Sequence, residues 1–238
     1  MNWAQVLFSQ GFGTRRECAG LLAAGQVSVA GRVIDDPAED VATADLAFDV
    51  GGQRWPFHVK ALVLLHKPAG YECSLRPRHH PSVLSLLPTP LRKRGVQPVG
   101  RLDEDTTGLL LLTDDGALIH RVTAPRHHVP KVYEIGCRHA VDASQIERLR
   151  AGVVLDDDPA PVRAEGAEPT GPNSLRMTLT QGKYHQVKRM LAAAGNRVET
   201  LHRSAFGALT LVGVETPGQW RWVDAAERDG GLASGPRP

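Results

Sequence analysis

Apolar and polar positions follow two rhythms along this chain of 238 residues. Trp3–Ser9 places apolar residues at helical spacing. Thr14 precedes Arg15-Arg16-Glu17, a hydroxyl with a glutamate three places on. That is a capping-box start, and it predicts a helix through Cys18, Leu21 and Leu22 that stops near Gly25. Gln26–Val29 and Arg32–Ile34 flank Ala30-Gly31 as a hairpin, and Ala44–Val50 reads as one more short strand. At Gly51–His58 glycine and proline break the periodicity, which predicts a linker. Beyond it, apolar runs at Ala61–Leu65, Gln97–Leu102 and Leu109–Leu112 predict core strands. Ala117–Val122 and Asp142–Leu149 read as helices. Val132–Ile135, Val162–Ala167, Ser174–Thr180, Val198–His202, Ala208–Val214 and Trp220–Val223 read as strands, and Asp156–Pro161 as a loop. Val187, Met190, Leu191 and Ala194 form one helical stripe, closed by Gly195-Asn196.

These elements predict an α+β chain in two parts. A small N-terminal domain takes 1–51, a linker 52–59, a larger domain 60–227, and a disordered tail 228–238. Composition changes little in that picture: 42% hydrophobic and 23% charged residues are ordinary for a globular protein. A net charge of +2 excludes a polybasic coat, so where the cations stand matters more than their sum. They gather in loops at 76–80, 92–94 and 126–128. No apolar run reaches membrane-span length, and no signal peptide is evident. Cys18, Cys73 and Cys137 are scattered and odd in number, which fits free thiols in a cytoplasmic setting. A monomer is expected.

Two stretches carry candidate chemistry. Gly100–Thr113 sets Asp103, Glu104 and Asp105 on a short connection between two core strands. A fixed polar loop on a rigid scaffold suits catalytic carboxylates, although pattern alone favours a solvated turn. In Gln181–Met190, His185 and Lys188 share a face beside the buried stripe, so Lys188 can reach an acid group shielded from water. A lysine that merely snorkels to the surface has the same pattern. Arg15 and Arg16 in a first helical turn oppose the helix dipole, yet make a good phosphate site. His79 and His80 lack a carboxylate or cysteine at ligand spacing, so no metal is expected. No P-loop, dinucleotide fingerprint or nucleophile elbow is present. The residues alone fit a carboxylate enzyme acting on nucleic acid, and equally an RNA-binding protein without catalysis.

Resemblance narrows the choice. Thr14–Ala19 followed by Leu21–Gly31 resembles the small RNA-binding domain of the ribosomal-protein-S4 type, although Asn2-Trp3-Ala4-Gln5 replaces its usual basic opening. Gly100-Arg101-Leu102-Asp103-Glu104-Asp105-Thr106-Thr107-Gly108-Leu109 is similar to the first motif of pseudouridine synthases. Lys131-Val132-Tyr133 resembles their second motif. Gly182–Met190, with Gly195-Asn196 and Leu201-His202-Arg203, resembles the third. Lys67-Pro68-x-Gly70-Tyr71, Thr113–Gly116 and Pro125–His128 point to the RsuA branch, which modifies ribosomal RNA. The resemblance implies a mixed, largely antiparallel catalytic sheet with flanking helices, and isomerisation of a uridine without a cofactor. By position it makes Asp103 the essential aspartate, Lys188 its basic partner and Tyr133 the tyrosine against the uracil ring. Leu201 would pack the base pocket, and Arg101 would brace the vacated stack after the base flips out. Arg15, Arg16, Arg126, His127, Lys131 and His185 would contact RNA. A small-subunit (16S) target is expected, with a large-subunit (23S) target as runner-up. A glycosidase would want two carboxylates at a set separation.

Overall fold

The computed structural model describes residues 1–124, 127, 129–156 and 158–232. The chain forms two compact units: Met1–Ala61 with Leu87–Gln97, and Leu62–Leu86 with everything from Pro98 onward.

In the first unit both helices start as the sequence predicts. Helix α1 (Trp3–Ser9) is capped by Asn2, and α2 (Arg15–Ala23) by Thr14, each in a reciprocal capping box. Strands β1 (Val27–Val29), β2 (Arg32–Val33), β3 (Ala47–Val50) and β4 (Gln53–Pro56) form an antiparallel sheet in the order β2-β1-β3-β4. Trp3, Leu7, Leu22 and Phe48 are its buried core, with the Trp3 ring edge-on to Phe48 at 5.8 Å. Half of the expected linker is therefore sheet, as β4. Gly51 and Gly52, at φ 57° and 77°, make the two-residue hairpin turn that joins β3 to β4. Trp55 of β4 is then buried, with its ring 5.2 Å from that of Phe12.

Helix α3 (Thr89–Lys93) corrects a second boundary. The sequence reading places this stretch in the larger domain, partly as a basic loop, yet it belongs to the first unit. Arg94 donates to Gln10 Oε1 at 2.6 Å and to the Val59 carbonyl at 3.2 Å, while Leu91 and Val96 are buried. From here the two-residue strand β6 (Gln97–Pro98) leads on.

The second unit is built on a mixed sheet. Strands β5 (Leu62–Lys67) and β7 (Thr107–Thr113) are buried along almost their whole length, as their unbroken apolar runs predict. Helix α4 (Gly116–Thr123) starts on Asp115, whose side chain accepts two backbone N–H groups. Strand β8 (Lys131–Cys137) alternates, burying Tyr133, Ile135 and Cys137. Helix α5 (Ala143–Ala151) is capped by Asp142. The expected loop at 156–161 is largely a hairpin instead: β9 (Val153–Leu155) pairs with β10 (Asp158–Val162). Next come β11 (Gly166–Gly171), β12 (Ser174–Leu179), α6 (Gln186–Ala193), β13 (Val198–Phe206), β14 (Leu209–Thr210) and β15 (Trp220–Trp222). The order across the sheet is β11-β12-β8-β13-β7-β5-β15, with β14 on β13. Only β13 and β7 run parallel among these paired strands. Leu62, Leu64, Leu109, Leu111 and Phe206 anchor one core beneath it.

Helix α7 (Ala225–Gly231) occupies the start of the expected disordered tail. Asp224 and Glu227 cap it reciprocally, and Leu232 is buried behind it. Residues 233–238 of that tail lie outside the described residues. No helix among the described residues is long and apolar enough to cross a membrane.

Candidate active site

The acidic loop between Pro98 and β7 is held from below. Lys67, the last residue of β5, is fully buried, and its hydrogen-bond acceptors are backbone carbonyls. Its ammonium donates to the carbonyls of Thr106 at 2.7 Å, Pro68 at 3.0 Å and Glu104 at 3.1 Å. Burial pulls its pKa below a lysine's usual value, although the nearby acidic side chains work against that. The Gly70 N–H adds a 2.8 Å bond to the Glu104 carbonyl, and Thr106 N–H returns to the Asp103 carbonyl at 3.2 Å. The loop backbone is thus pinned at several points, and its carboxylates point outward from a fixed base.

Helix α6 and its N-cap supply the facing side chains. Its buried stripe of Val187, Met190, Leu191 and Ala194 matches the sequence pattern, and this sets His185 and Lys188 toward the loop. His185 is the N-cap, in the left-handed region at φ 46° and ψ 33°. Its Nε2 lies 3.2 Å from Asp103 Oδ1, and Lys188 Nζ lies 3.1 Å from Asp103 Oδ2. Lys188 also donates to both oxygens of Asp105 at 2.8 Å. Burial disfavours the Lys188 charge, but its bonds to Asp105 and Asp103 carry its pKa above the usual value. Burial likewise opposes ionisation of Asp105, and the Lys188 hydrogen bond outweighs it, lowering that carboxyl's pKa. Sequence reading leaves Asp105 a structural or solvated role. The structure makes it the second anchor of Lys188, because one ammonium can serve two carboxylates on the same loop.

Tyr133 and Leu201 complete the constellation. Neighbouring strands β8 and β13 bring them to the cavity that Arg101, Asp103, His185 and Lys188 also line. Tyr133 is only 8% exposed. Outside this slot lies a broader groove of about 840 Å³, walled by Arg78, His79, His80, Arg101, Tyr184 and the acidic loop. Glu72 shapes its basic rim. Its carboxylate accepts backbone N–H groups from His79 at 2.8 Å, His80 at 2.9 Å and Arg78 at 3.1 Å. Those bonds draw its pKa down to about 2. Nothing in the sequence pattern singles out Glu72, and Lys67 enters there only as part of a family motif with no role attached, because their partners are backbone atoms.

The remaining expected contacts are dispersed. Lys131 turns its ammonium to the carbonyls of Val129 at 2.9 Å and Thr180 at 3.3 Å, and over the Phe206 ring at 5.2 Å. Its ammonium is thus engaged by backbone carbonyls, and Lys131 is not among the residues that line the slot. Arg15 and Arg16 are exposed at the start of α2 in the first unit. His127 is half-buried, and Arg126 lies outside the described residues. Among the described residues no three His, Cys, Asp or Glu side chains are grouped to hold a metal.

A carboxylate paired with a lysine on a helix thus stands beside a buried tyrosine on a mixed sheet, and comparison with known proteins supplies the family. Residues 61–193 match the RNA pseudouridylate synthase family, and residues 4–46 match the S4 domain. The chain belongs to the RNA pseudouridylate synthase family and is of the RsuA type, with an S4 domain in front. Ribosomal small subunit pseudouridine synthase A of Escherichia coli is 38% identical over 215 residues, 90% of this chain and 92% of that protein. An uncharacterised RNA pseudouridine synthase of Bacillus subtilis is 33% identical over 95% of this chain and 96% of its own length. A crystal structure of a pseudouridylate synthase superposes with a TM-score of 0.69 at 28% identity, covering 98% of this chain and all of the other.

Proposed function

We propose that the chain converts a uridine of small-subunit (16S) ribosomal RNA to pseudouridine in the cytoplasm, with Asp103 as the essential catalytic aspartate. One observation carries the reading. Asp103, Tyr133, Lys188 and Leu201 come from four separate elements, and all line one slot. The small-subunit target rests on the named activity of the Escherichia coli relative, which matches over nearly the full length of both chains.

The reaction needs no cofactor, because the uracil is itself detached, turned and reattached. The C1′–N1 bond breaks and a C1′–C5 bond forms; C5 gives up its proton and N1 gains one. Asp103 acts at the sugar, where positive charge builds at C1′ as N1 leaves. Lys188 and His185 hold its two oxygens in place. Tyr133 lies against the ring and helps remove the C5 proton. A paired uridine cannot reach this slot until it flips out, and Arg101 at the slot's mouth braces the vacated stack. Cations at 76–80 and on the S4 domain hold phosphates.

Asp103→Asn tests this. With a small-subunit rRNA transcript carrying tritium at uridine C5, the variant should release no tritium yet bind the RNA within about threefold of wild type, because phosphate contacts supply most of the affinity. Wild-type release rates in the variant would sink the assignment. Release only from large-subunit RNA would move the target and leave the chemistry standing.

A further inference from the structure

Tyr184 stands apart from every role given so far. It is 76% exposed, the most exposed of the chain's buried-prone aromatic rings among the described residues. One ring face rests on His185, with centroids 3.8 Å apart and planes 19° from parallel. His185 in turn is fixed twice, by its left-handed backbone and by its contact with Asp103. The exposed ring is therefore no loose surface side chain. It is the outer layer of a rigid two-ring stack whose inner layer touches the catalytic loop. Its other face is open to the groove that Arg78, His79, His80 and Arg101 also line.

A flat aromatic face beside cations, at the mouth of a slot built for one nucleoside, has an evident complement. Every nucleobase has a π-face, and stacking on protein aromatics is how single-stranded nucleic acid is held without sequence readout. Flipping the target uridine strips its neighbour of a stacking partner. We propose that Tyr184, seated on His185, is a stacking platform for the nucleobase next to the target uridine. This rests on the RNA-substrate reading above and adds a subsite to it. Arg101 and Tyr184 then divide the work: one braces the vacated stack and the other takes the orphaned neighbour. The tyrosine hydroxyl has no part in this, and no phosphate is contacted by the ring.

The test is Tyr184→Ala and Tyr184→Phe in the full chain, binding a full-length small-subunit rRNA transcript in a salt series. Tyr184→Ala should raise Kd about tenfold, which is about 1.4 kcal/mol. It should leave the slope of log Kd against log salt unchanged, since no phosphate contact is lost. Under turnover the loss should fall on KM far more than on kcat. Tyr184→Phe, which keeps the ring, should recover the affinity. Equal Kd for Tyr184→Ala and wild type would overturn the platform, and so would a Phe variant as weak as the Ala variant or a shallower salt slope. If wild type binds the RNA but forms no pseudouridine in it, the catalytic reading fails, while the Ala-to-wild-type Kd ratio still decides the platform.

Discussion

Lys188 shows how much a single side chain organises. It spans Asp103 and Asp105 at 2.8–3.1 Å, so removing its charge leaves two carboxylates of one loop to repel each other. Lys188→Met should lower kcat about a hundredfold through loss of loop geometry, whereas Lys188→Arg should retain most activity. Single-turnover tritium release from saturating RNA measures both, and a Met variant within threefold of wild type would refute the bridge. Lys131 is a different case. Burial, and then the Arg203 charge, bring its pKa down to about 8. An unfolded lysine titrates near 10.5, so the folded state gives up its proton first. Folding stability from this group is therefore lowest below pH 8 and rises as pH climbs from about 8 toward 10.5. Urea unfolding at pH 8 and pH 10 should show that rise in wild type and a smaller one in Lys131→Met. At this scale the sequence was legible where a residue type and a motif coincide, as at Asp103, Tyr133 and Lys188. It was silent at Glu72 and on the role of Lys67, whose partners are backbone carbonyl and N–H groups that only the folded chain assembles.

Elements were legible wherever one period ran long enough. The stripe of α6, the helical spacing of α1, the capping box of α2, and the apolar runs of β5 and β7 all appear where the pattern places them. Short or proline-bearing strands were missed. Strand β10 begins Asp-Pro-Ala-Pro, a composition that reads as loop, and it is held by pairing with β9. The Gly51-Gly52 pair was read as a break when it is a hairpin turn; glycine signals both, and only the pairing of β4 distinguishes them. Gly108 of β7 carries its own consequence. It stands at φ 106°, and a Cβ there would run into the Arg203 carbonyl of the parallel neighbour β13. Gly108→Ala should destabilise the protein by about 3 kcal/mol, through both backbone strain and forced strand separation. Chemical denaturation checks this, and a loss under 1 kcal/mol would mean that the two strands separate cheaply.

On the scale of the whole molecule, the two-part division was legible from the break in periodicity, but its membership was not. Leu87–Gln97 returns to the first unit, and no local pattern announces a long-range return. Its apolar residues Leu91 and Val96 are buried, and Arg94 is tied to Gln10 and Val59. Deleting residues 1–61 should therefore give an aggregating or protease-sensitive product cut within 87–97. Deleting them while replacing 87–97 with a Gly/Ser linker should give a clean monomer. Size-exclusion chromatography with limited proteolysis separates the outcomes, and a well-behaved simple truncation would refute the shared core. The S4 match ends at residue 46, so this returning segment lies outside the recognisable module. Anyone exchanging the RNA-binding module between such enzymes must therefore transplant two separate stretches of gene. A chimera joined at one seam carries a foreign α3 about ten residues upstream of the acidic loop.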